Sequence, residues 1–205
     1  MKQIDMKQKC LFFSDIFVQA LQNKSYMKHN KSTFIAALAL LITPSMVFAK
    51  NMTLKSPDVK AGATIALKHV FNGFGCTGEN ILPSLEWSHA PTDTKSFAIT
   101  VYDPDAPTGS GWWHWLAFNI PSSVTKISAQ NIPAQATQSR TDYGKPGYGG
   151  PCPPVGDKPH RYIFTVYALK TDKLDLPADS SGALVGYYIN QNKIAEAKLT
   201  AFFAR

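Results

Sequence analysis

The sequence of 205 residues predicts a single, mainly β domain. Segments rich in β-branched and aromatic residues dominate the chain after residue 50, and glycine and proline turns separate them. Only one segment has convincing helical spacing. The composition, 44% hydrophobic and 17% charged, is ordinary for a globular protein, and the length fits one domain.

Four segments have the pattern of strands. Thr64–Val70 alternates moderately between apolar and polar residues, and Ser96–Tyr102 is β-branched and aromatic. His114–Ile120 is an apolar strand that Pro121 ends, because proline lacks the N–H that a sheet needs. Arg161–Leu169 is largely apolar on both faces, which is typical of a central strand buried on both sides.

One helix is predicted over Ala183–Ala197. Ser180 or Ser181 can cap its first turn, and apolar residues recur along it at helical spacing. A short strand at Lys198–Phe203 follows it. The polar segment Ser128–Pro154 is rich in glycine and proline and is predicted to be a long loop, of a length that is often functional in compact domains.

Residues 27–49 have the three-part pattern of a secretory signal peptide. Basic residues within 28–31 precede the apolar core Thr33–Ile42, and small residues precede Lys50. The pattern predicts cleavage after Ala49 and a periplasmic or secreted location. An uncleaved membrane anchor is the alternative, and the shortness of the apolar core argues against it.

Residues 1–26 fit poorly in front of such a signal, because they carry scattered charges and only a weak apolar patch. Either translation begins at Met27, or these residues form a long basic region that still allows export. In both cases the mature domain is expected to span residues 50–205.

Most of the net charge of +7 lies in the N-terminal part of the chain. Up to Ala49 there are six lysines and two aspartates, which makes +4 and leaves +3 for the domain. A balance of +3 is not typical of a nucleic-acid-binding protein. The domain also has no basic amphipathic helix. We therefore expect neither a nucleic-acid partner nor stable membrane insertion after signal cleavage.

Removal of the presequence would take Cys10 away and leave Cys76 and Cys152. An even pair of cysteines in an oxidising compartment predicts a disulfide. The alternative is a metal site formed by both cysteines with His114 and His160. These residues lack close ligand spacing such as Cys-x-x-Cys, so no metal and no other cofactor is expected.

Three segments combine residues that could form a site. The first, residues 103–107 (Asp-Pro-Asp-Ala-Pro), holds two carboxylates in a rigid turn after a strand, although an Asx-type turn that only links strands explains it as well. The second, residues 111–115, sets His114 among three tryptophans, where excluded water strengthens polar contacts. A core histidine bonded to a backbone carbonyl is the alternative for His114.

The third segment runs from Tyr148 through Pro153 and Pro154 to His160 and Tyr162. Its glycines let the backbone approach a ligand, and its prolines stiffen the loop. His160 and Tyr162 are two residues apart and therefore face the same side of a strand. A structural loop pinned by a disulfide is the alternative interpretation.

These motifs, in this order, resemble the signature of the phosphatidylethanolamine-binding protein family. The motifs are Asp-Pro-Asp-Ala-Pro, a Trp-His before a strand that ends in Asn-Ile-Pro, Gly-Pro-Cys-Pro-Pro, and His-Arg-Tyr. The paired cysteines and residues 73–80 (Gly-Phe-Gly-Cys-Thr-Gly-Glu-Asn) are similar to the bacterial, exported, Raf-kinase-inhibitor-like branch. The resemblance covers Lys50–Arg205.

The resemblance implies a large central antiparallel sheet, a smaller second sheet and one or two peripheral helices near the C-terminus. It also implies a pocket for phosphate-like anions, lined by the residues that match the motifs: Asp103, His114, Pro153, Pro154, His160 and Tyr162. Three further residues are expected to support the pocket: Asp105, Trp113 and Tyr148. Cys152 stands where better-known relatives have glycine, so the rim is expected to differ in shape.

We expect a protein that binds a small anion. A second expected kind of partner is a protein whose activity it modulates. Two charged imidazoles would donate hydrogen bonds to the anion, so binding would weaken as pH rises through the histidine range. The rival is a hydrolase-type enzyme that uses Asp103 with His114 or His160, or Cys152 as a nucleophile. The chain lacks a Gly-x-Ser-x-Gly motif, and Cys152 lies between prolines rather than at a helix N-terminus.

Export should remove residues 1–49. N-terminal sequencing of the protein purified from the exported fraction should return Lys50 first, because cleavage follows the small residues after the apolar core. A mature chain that retains Met27 would contradict the signal-peptide interpretation.

Overall fold

A computed structural model of the chain describes residues 51–205. The predicted signal peptide and the residues before it lie outside this part. In chain order the strands are β1 (Thr53–Lys55), β2 (Asn72–Gly73), β3 (Cys76–Thr77), β4 (Leu85–Ser88), β5 (Ser96–Asp103), β6 (Trp112–Pro121), β7 (Lys126–Ile127), β8 (Thr137–Gln138), β9 (His160–Leu169) and β10 (Lys193–Phe203). The helices are a 3-10 helix at Leu67–His69 and the α-helix α1 (Gly182–Asn192).

The strands form two sheets and a hairpin. The large sheet is antiparallel throughout, with the strand order β10-β9-β5-β6-β8. The small sheet has the order β1-β4-β7, and β2 pairs with β3. The predicted fold class is confirmed: a large antiparallel sheet, a smaller second sheet and one α-helix near the C-terminus. The three predicted strands Ser96–Tyr102, His114–Ile120 and Arg161–Leu169 lie within β5, β6 and β9.

The large sheet is buried on both faces, and β5 shows how. Phe97 and Ile99 point to one face, where they join a cluster that includes Trp87 of the small sheet. Ala98 points to the other face and packs in a second cluster with Ile189 of α1. Because successive strand residues point to opposite faces, an uninterrupted apolar strand fits between two layers.

A register shift in β6 changes which of its side chains share a face. Val101 of β5 lies opposite Trp115, but the next residue, Tyr102, lies opposite Trp113. His114 is therefore an extra residue with no partner opposite it, as in a β-bulge. Bulges redirect side chains, and strict alternation would not have identified the surroundings of His114.

The predicted strand Thr64–Val70 is wrong. Only Thr64 forms a bridge, to Phe202, and the chain then turns into the 3-10 helix. Leu67, in the middle of the segment, is 70% exposed, so the segment lacks the continuous buried face that a strand of the sheet would need.

The predicted helix starts where expected but ends earlier. Its N-cap is Ser181, whose hydroxyl accepts a hydrogen bond from the N–H of Leu184. The helix ends at Asn192 rather than Ala197, because β10 begins at Lys193 and pairs with β9 along its length. Tertiary pairing thus overrides the helix propensity of these last residues.

Two glycines of α1 provide a test of how the helix packs on the sheet. A Cβ at Gly182 would overlap the ring of Trp113, whereas a Cβ at Gly186 would lie 3.7 Å from the nearest ring atom. Gly182→Ala should lower the free energy of unfolding by about 1–3 kcal/mol through overpacking. Gly186→Ala should leave it unchanged or raise it by up to about 1 kcal/mol, because alanine favours helix.

Urea titration of both variants and the wild type would measure these changes in stability. The two substitutions add the same methyl group to the same helix, so their difference isolates the contact with Trp113. Equal effects would contradict the packing described for α1.

Candidate ligand-binding site

A cavity of about 210 Å³ lies at the C-terminal end of β5 and the N-terminal ends of β6 and β9. All six residues assigned to a pocket from the motifs line it: Asp103, His114, Pro153, Pro154, His160 and Tyr162. Seven more residues complete the lining: Phe74, Ala106, Pro107, Thr108, Trp112, Tyr143 and Cys152. Three segments that are distant in sequence thus meet at one end of the large sheet.

The carboxylate of Asp103 is almost fully buried, with 2% of the residue exposed, and both its oxygens are bonded. Oδ1 accepts hydrogen bonds from the backbone N–H groups of Asp105 and Ala106, at 2.8 and 3.1 Å. Oδ2 lies 2.8 Å from Nδ1 of His160. The Asx-type turn and the cavity wall are therefore the same feature, and the two interpretations of this motif do not exclude each other.

His160 lies between two carboxylates. Its Nδ1 contacts Asp103, and its Nε2 lies 3.2 Å from Oδ2 of Asp157. A carboxylate only accepts hydrogen bonds, so both contacts are satisfied when both ring nitrogens carry protons. Both ring nitrogens of His160 thus face carboxylates, whereas the expectation was that both imidazoles donate to a ligand.

His114 is buried and bonded through one ring nitrogen. Its Nδ1 lies 2.8 Å from the carbonyl oxygen of Gly149, and 3% of the residue is exposed. Burial lowers the pKa of His114 from 6.5 to about 4, against the opposing effects of the Gly149 carbonyl and the Asp103 charge. The ring is therefore neutral at neutral pH, and the expected charged form of this imidazole is not favoured.

Two polar atoms in the cavity lining are buried and have no hydrogen-bond partner in the described structure: the Tyr162 hydroxyl and the Trp112 Nε1. Burial raises the pKa of Tyr162 well above its usual value, and the charge and close approach of the Asp103 carboxylate raise it further, although the hydroxyl and that carboxylate do not meet in hydrogen-bond geometry. Its hydroxyl therefore keeps its proton and remains a donor. Buried donors normally have partners, so these two groups mark the cavity as a place for an acceptor.

Asp105 fastens the turn after β5 to the start of β9. Its Oδ2 accepts from the backbone N–H and the Nε of Arg161, at 2.8 and 2.9 Å, and its Oδ1 accepts from Nη2 at 2.6 Å. These hydrogen bonds from Arg161 lower the pKa of Asp105 to about 2. The residue thus holds the turn in place without lining the cavity.

The other two residues expected to support the pocket lie away from the cavity. Trp113 lies on the opposite side of β6, with its ring 4.5 Å from that of Tyr102 and against Gly182 of α1. It supports the helix, and its neighbour Trp112 lines the cavity instead. Tyr148 supports the adjoining loop, because its hydroxyl donates to the carbonyl of His69 at 3.0 Å.

Tyr143 is a lining residue that sequence analysis missed. Its hydroxyl donates to the carbonyl of Gly150 at 2.8 Å, and its ring stacks on Phe71 with centroids 4.1 Å apart. Edge-on contacts place the same ring against Trp112 and His114. The only sequence signal was an aromatic residue in a polar loop, and no periodic pattern indicated which way it faces.

The predicted disulfide between Cys76 and Cys152 is confirmed, with the two Cα atoms 6.0 Å apart. It joins the β2–β3 hairpin to the cavity rim. Asn80 makes a second connection, since its Oδ1 accepts from the N–H of Gly150 and its Nδ2 donates to the carbonyl of Tyr148. Residues 73–80 therefore act as a brace for the loop that closes the cavity.

The bonded sulfurs are not free to bind a metal. Within residues 51–205, no three His, Cys, Asp or Glu side chains are grouped so that they could hold a metal ion. In the same part of the chain, no helix combines the length and hydropathy needed to cross a bilayer.

The sheets, the C-terminal helix and the cavity define a mainly β protein with one small site at the ends of its central strands. A family model described as phosphatidylethanolamine-binding protein matches residues 55–204. The chain belongs to this family, as the motifs predicted.

Bacterial relatives support the assignment. The UPF0098 protein YbcL of Escherichia coli (strain K12) is 49% identical over 178 residues, which cover 83% of this chain and 97% of YbcL. The crystal structure of E. coli YbcL, described as a new member of the mammalian PEBP family, matches with a TM-score of 0.74 and 52% identity. This match covers 76% of this chain and 99% of that one.

A more distant relative is LppC of Mycobacterium tuberculosis (strain H37Rv), whose name includes the word lipoprotein. It is 34% identical over 155 residues, which cover 76% of this chain and 73% of LppC. The predicted bacterial branch of the family agrees with these relatives.

Asp105→Asn should lower stability at about pH 7 but have little effect near pH 2. Because Arg161 lowers the folded-state pKa of Asp105 from 3.8 to about 2, ionised Asp105 stabilises the fold above about pH 4. This contribution is lost as pH falls through about 2. Urea titrations at several pH values would measure it, with the fully exposed Asp175, as Asp175→Asn, as the control. A pH-independent difference would contradict a role for the charge.

Proposed function

We propose that this protein binds a small anion, of the phosphate or phospholipid-headgroup kind, in the cavity at the ends of β5, β6 and β9. The observation that carries the proposal is the pair of buried, unpartnered donors, the Tyr162 hydroxyl and the Trp112 N–H. A buried donor without a partner costs about 1–3 kcal/mol, and an anionic oxygen would supply the missing acceptor. The family's description as phosphatidylethanolamine-binding supports the same class of ligand.

The size and rigidity of the cavity support a headgroup rather than a whole lipid. Its volume of about 210 Å³ is below the range of about 300–1,000 Å³ that is typical of pockets for drug-sized ligands. The side chains of Asp103 and His160 are already fixed by their hydrogen bonds. Little ordering would therefore oppose the binding of a small ligand.

We also propose that the protein acts after export, in the periplasm or outside the cell. The signal-peptide pattern of residues 27–49 supports this location. The Cys76–Cys152 disulfide supports it as well, because disulfides persist in oxidising compartments. The lipoprotein name of the relative LppC agrees with export.

A hydrolase-type enzyme is the second candidate, favoured by the 2.8 Å contact between Asp103 and His160. A carboxylate that orients a histidine is typical of general-base catalysis. Binding is better supported for two reasons. Nε2 of His160 is directed at Asp157 and is not free to take a proton from a nucleophile. His114 is a weak base, because burial lowers its pKa to about 4. The sulfur of Cys152 is bonded in the disulfide and is not a nucleophile in this state.

Tyr162→Phe should weaken binding of O-phosphoethanolamine about tenfold or more. The substitution removes one donor to a charged group, which is worth about 1.5–3 kcal/mol, and tenfold corresponds to about 1.4 kcal/mol. Urea titration of the same variant would show how much the nearby Asp103 side chain stabilises the hydroxyl, so that a change in stability is not mistaken for a change in binding. Isothermal titration calorimetry would measure the affinity of the wild type and the variant.

The matched control is Tyr167→Phe, because Tyr167 lies on the opposite face of β9 and packs with the cluster beneath α1. It should bind like the wild type. Equal affinity of wild type and Tyr162→Phe would contradict the proposed site, and a loss in the control variant would show that the effect is not local.

A further inference from the structure

The cavity has few positive charges in its lining, and its one histidine that contacts carboxylates, His160, is held between Asp103 and Asp157. None of its lining residues is Lys or Arg. Arg161, at the start of β9, is bonded to Asp105, and Arg205 donates to backbone carbonyl groups at the rim. A dianion would therefore lie in a buried site near the Asp103 carboxylate without a lysine or arginine among the lining residues, which is unfavourable.

His114 offers an acceptor to the cavity, whereas anion sites usually offer donors. The Gly149 carbonyl can only accept, so Nδ1 of His114 carries the proton of the neutral ring and Nε2 carries a lone pair. Within residues 51–205 the one contact of the ring with hydrogen-bond geometry is this Nδ1 contact, and the Gly150 backbone lies close enough to raise the pKa slightly. Burial keeps the ring neutral, since it lowers the pKa of His114 to about 4. The titratable groups around the ring are two carboxylates and two phenols: Asp103, Asp142, Tyr143 and Tyr162.

We infer that the site selects an anion that carries its own proton, and that Nε2 of His114 accepts the hydrogen bond from that proton. The inference rests on the proposed function and deepens it. The monoanion of a phosphate monoester has one P–OH group for Nε2 and unprotonated oxygens for Tyr162 and Trp112. The proton stays on the ligand oxygen, so no covalent bond is broken.

This arrangement would make His114 a specificity-determining residue. Sulfate has the same tetrahedral shape as phosphate but no proton at neutral pH, and a phosphodiester also lacks the proton. Either ion would place an unprotonated oxygen against the lone pair of Nε2. An acceptor that faces another acceptor loses the hydrogen bond and leaves a buried polar group unpaired, which excludes ligands strongly.

The pH dependence follows from the ligand. A phosphate monoester loses its second proton near pH 6, so its affinity should fall about tenfold per pH unit above that value. At about pH 8 each binding event should take up about one proton, because the free ligand is mostly dianionic. Sulfate should bind measurably only as the pH falls towards about 4, where His114 becomes protonated and turns into a donor.

Isothermal titration calorimetry with methyl phosphate, dimethyl phosphate and sulfate would test the inference, at about pH 6 and about pH 8. Two buffers of different ionisation enthalpy would count the protons taken up. At about pH 6, methyl phosphate should bind about tenfold or more tightly than either other ion. Dimethyl phosphate represents a phospholipid diester, so this arm separates a lipid source of the headgroup from a free monoester.

Three variants identify the group responsible. His114→Phe should bind all three ions weakly and lose the preference for methyl phosphate. Tyr162→Phe should weaken methyl phosphate but keep its preference over dimethyl phosphate and sulfate, because Nε2 is still present. His89→Asn, at an exposed position directly after β4 and outside the cavity, should match the wild type. If His114→Phe does not fold, the proton count and Tyr162→Phe still test the inference.

The outcomes separate the inference from the proposal on which it rests. Equal affinity for methyl phosphate and sulfate at about pH 6, with no proton uptake at about pH 8, would overturn the inference and leave anion binding intact. Failure of every ion to bind at either pH would overturn the proposed function itself. Preference for methyl phosphate with uptake of about one proton would support both.

Discussion

The Asp103 carboxylate is the group on which the rest of the site depends. It lies at the last residue of β5, and its two oxygens satisfy the N–H groups of the following turn and the ring of His160 at the start of β9. One side chain therefore fixes the direction of the turn and joins two neighbouring strands at their open ends. Asp105 lies two residues further along the chain and makes a second connection to the start of β9, through its hydrogen bonds with Arg161. The cavity lies at this corner, where the pairing of β5 with β9 ends at Tyr102 and Ile163 and side chains take over the connection.

The extra residue in β6 completes the site on the other side. In a regular strand His114 and Trp115 would face opposite ways, and Trp115 is fully buried in the core between the sheets. The register shift lets β6 keep Trp115 in the core and still direct His114 at the loop that carries Gly149. A neutral histidine with a fixed proton on Nδ1 is the chemical consequence of this backbone irregularity.

Local patterns predicted the central strands well, because each is a long apolar run bounded by proline or charged residues, as in Ser96–Tyr102. They failed at Ala183–Ala197, where a helix-favouring segment is drawn into strand β10 by pairing with β9, a contact that local sequence does not encode. The motifs indicated which residues line the cavity. They did not reveal the protonation of His114 or the role of Tyr143, because both depend on what packs against the ring in three dimensions.

The site also explains why a disulfide is placed at its rim. Within residues 51–205 five buried polar atoms lack partners, and two of them belong to the cavity lining. Each costs about 1–3 kcal/mol, a large share of the about 5–15 kcal/mol that stabilises a typical domain. The Cys76–Cys152 bond closes a loop of 76 residues, and restriction of the unfolded chain by such a loop is worth about 4 kcal/mol. The disulfide therefore contributes about as much stability as the two unpaired donors cost. It acts at the segment that forms the rim of the cavity.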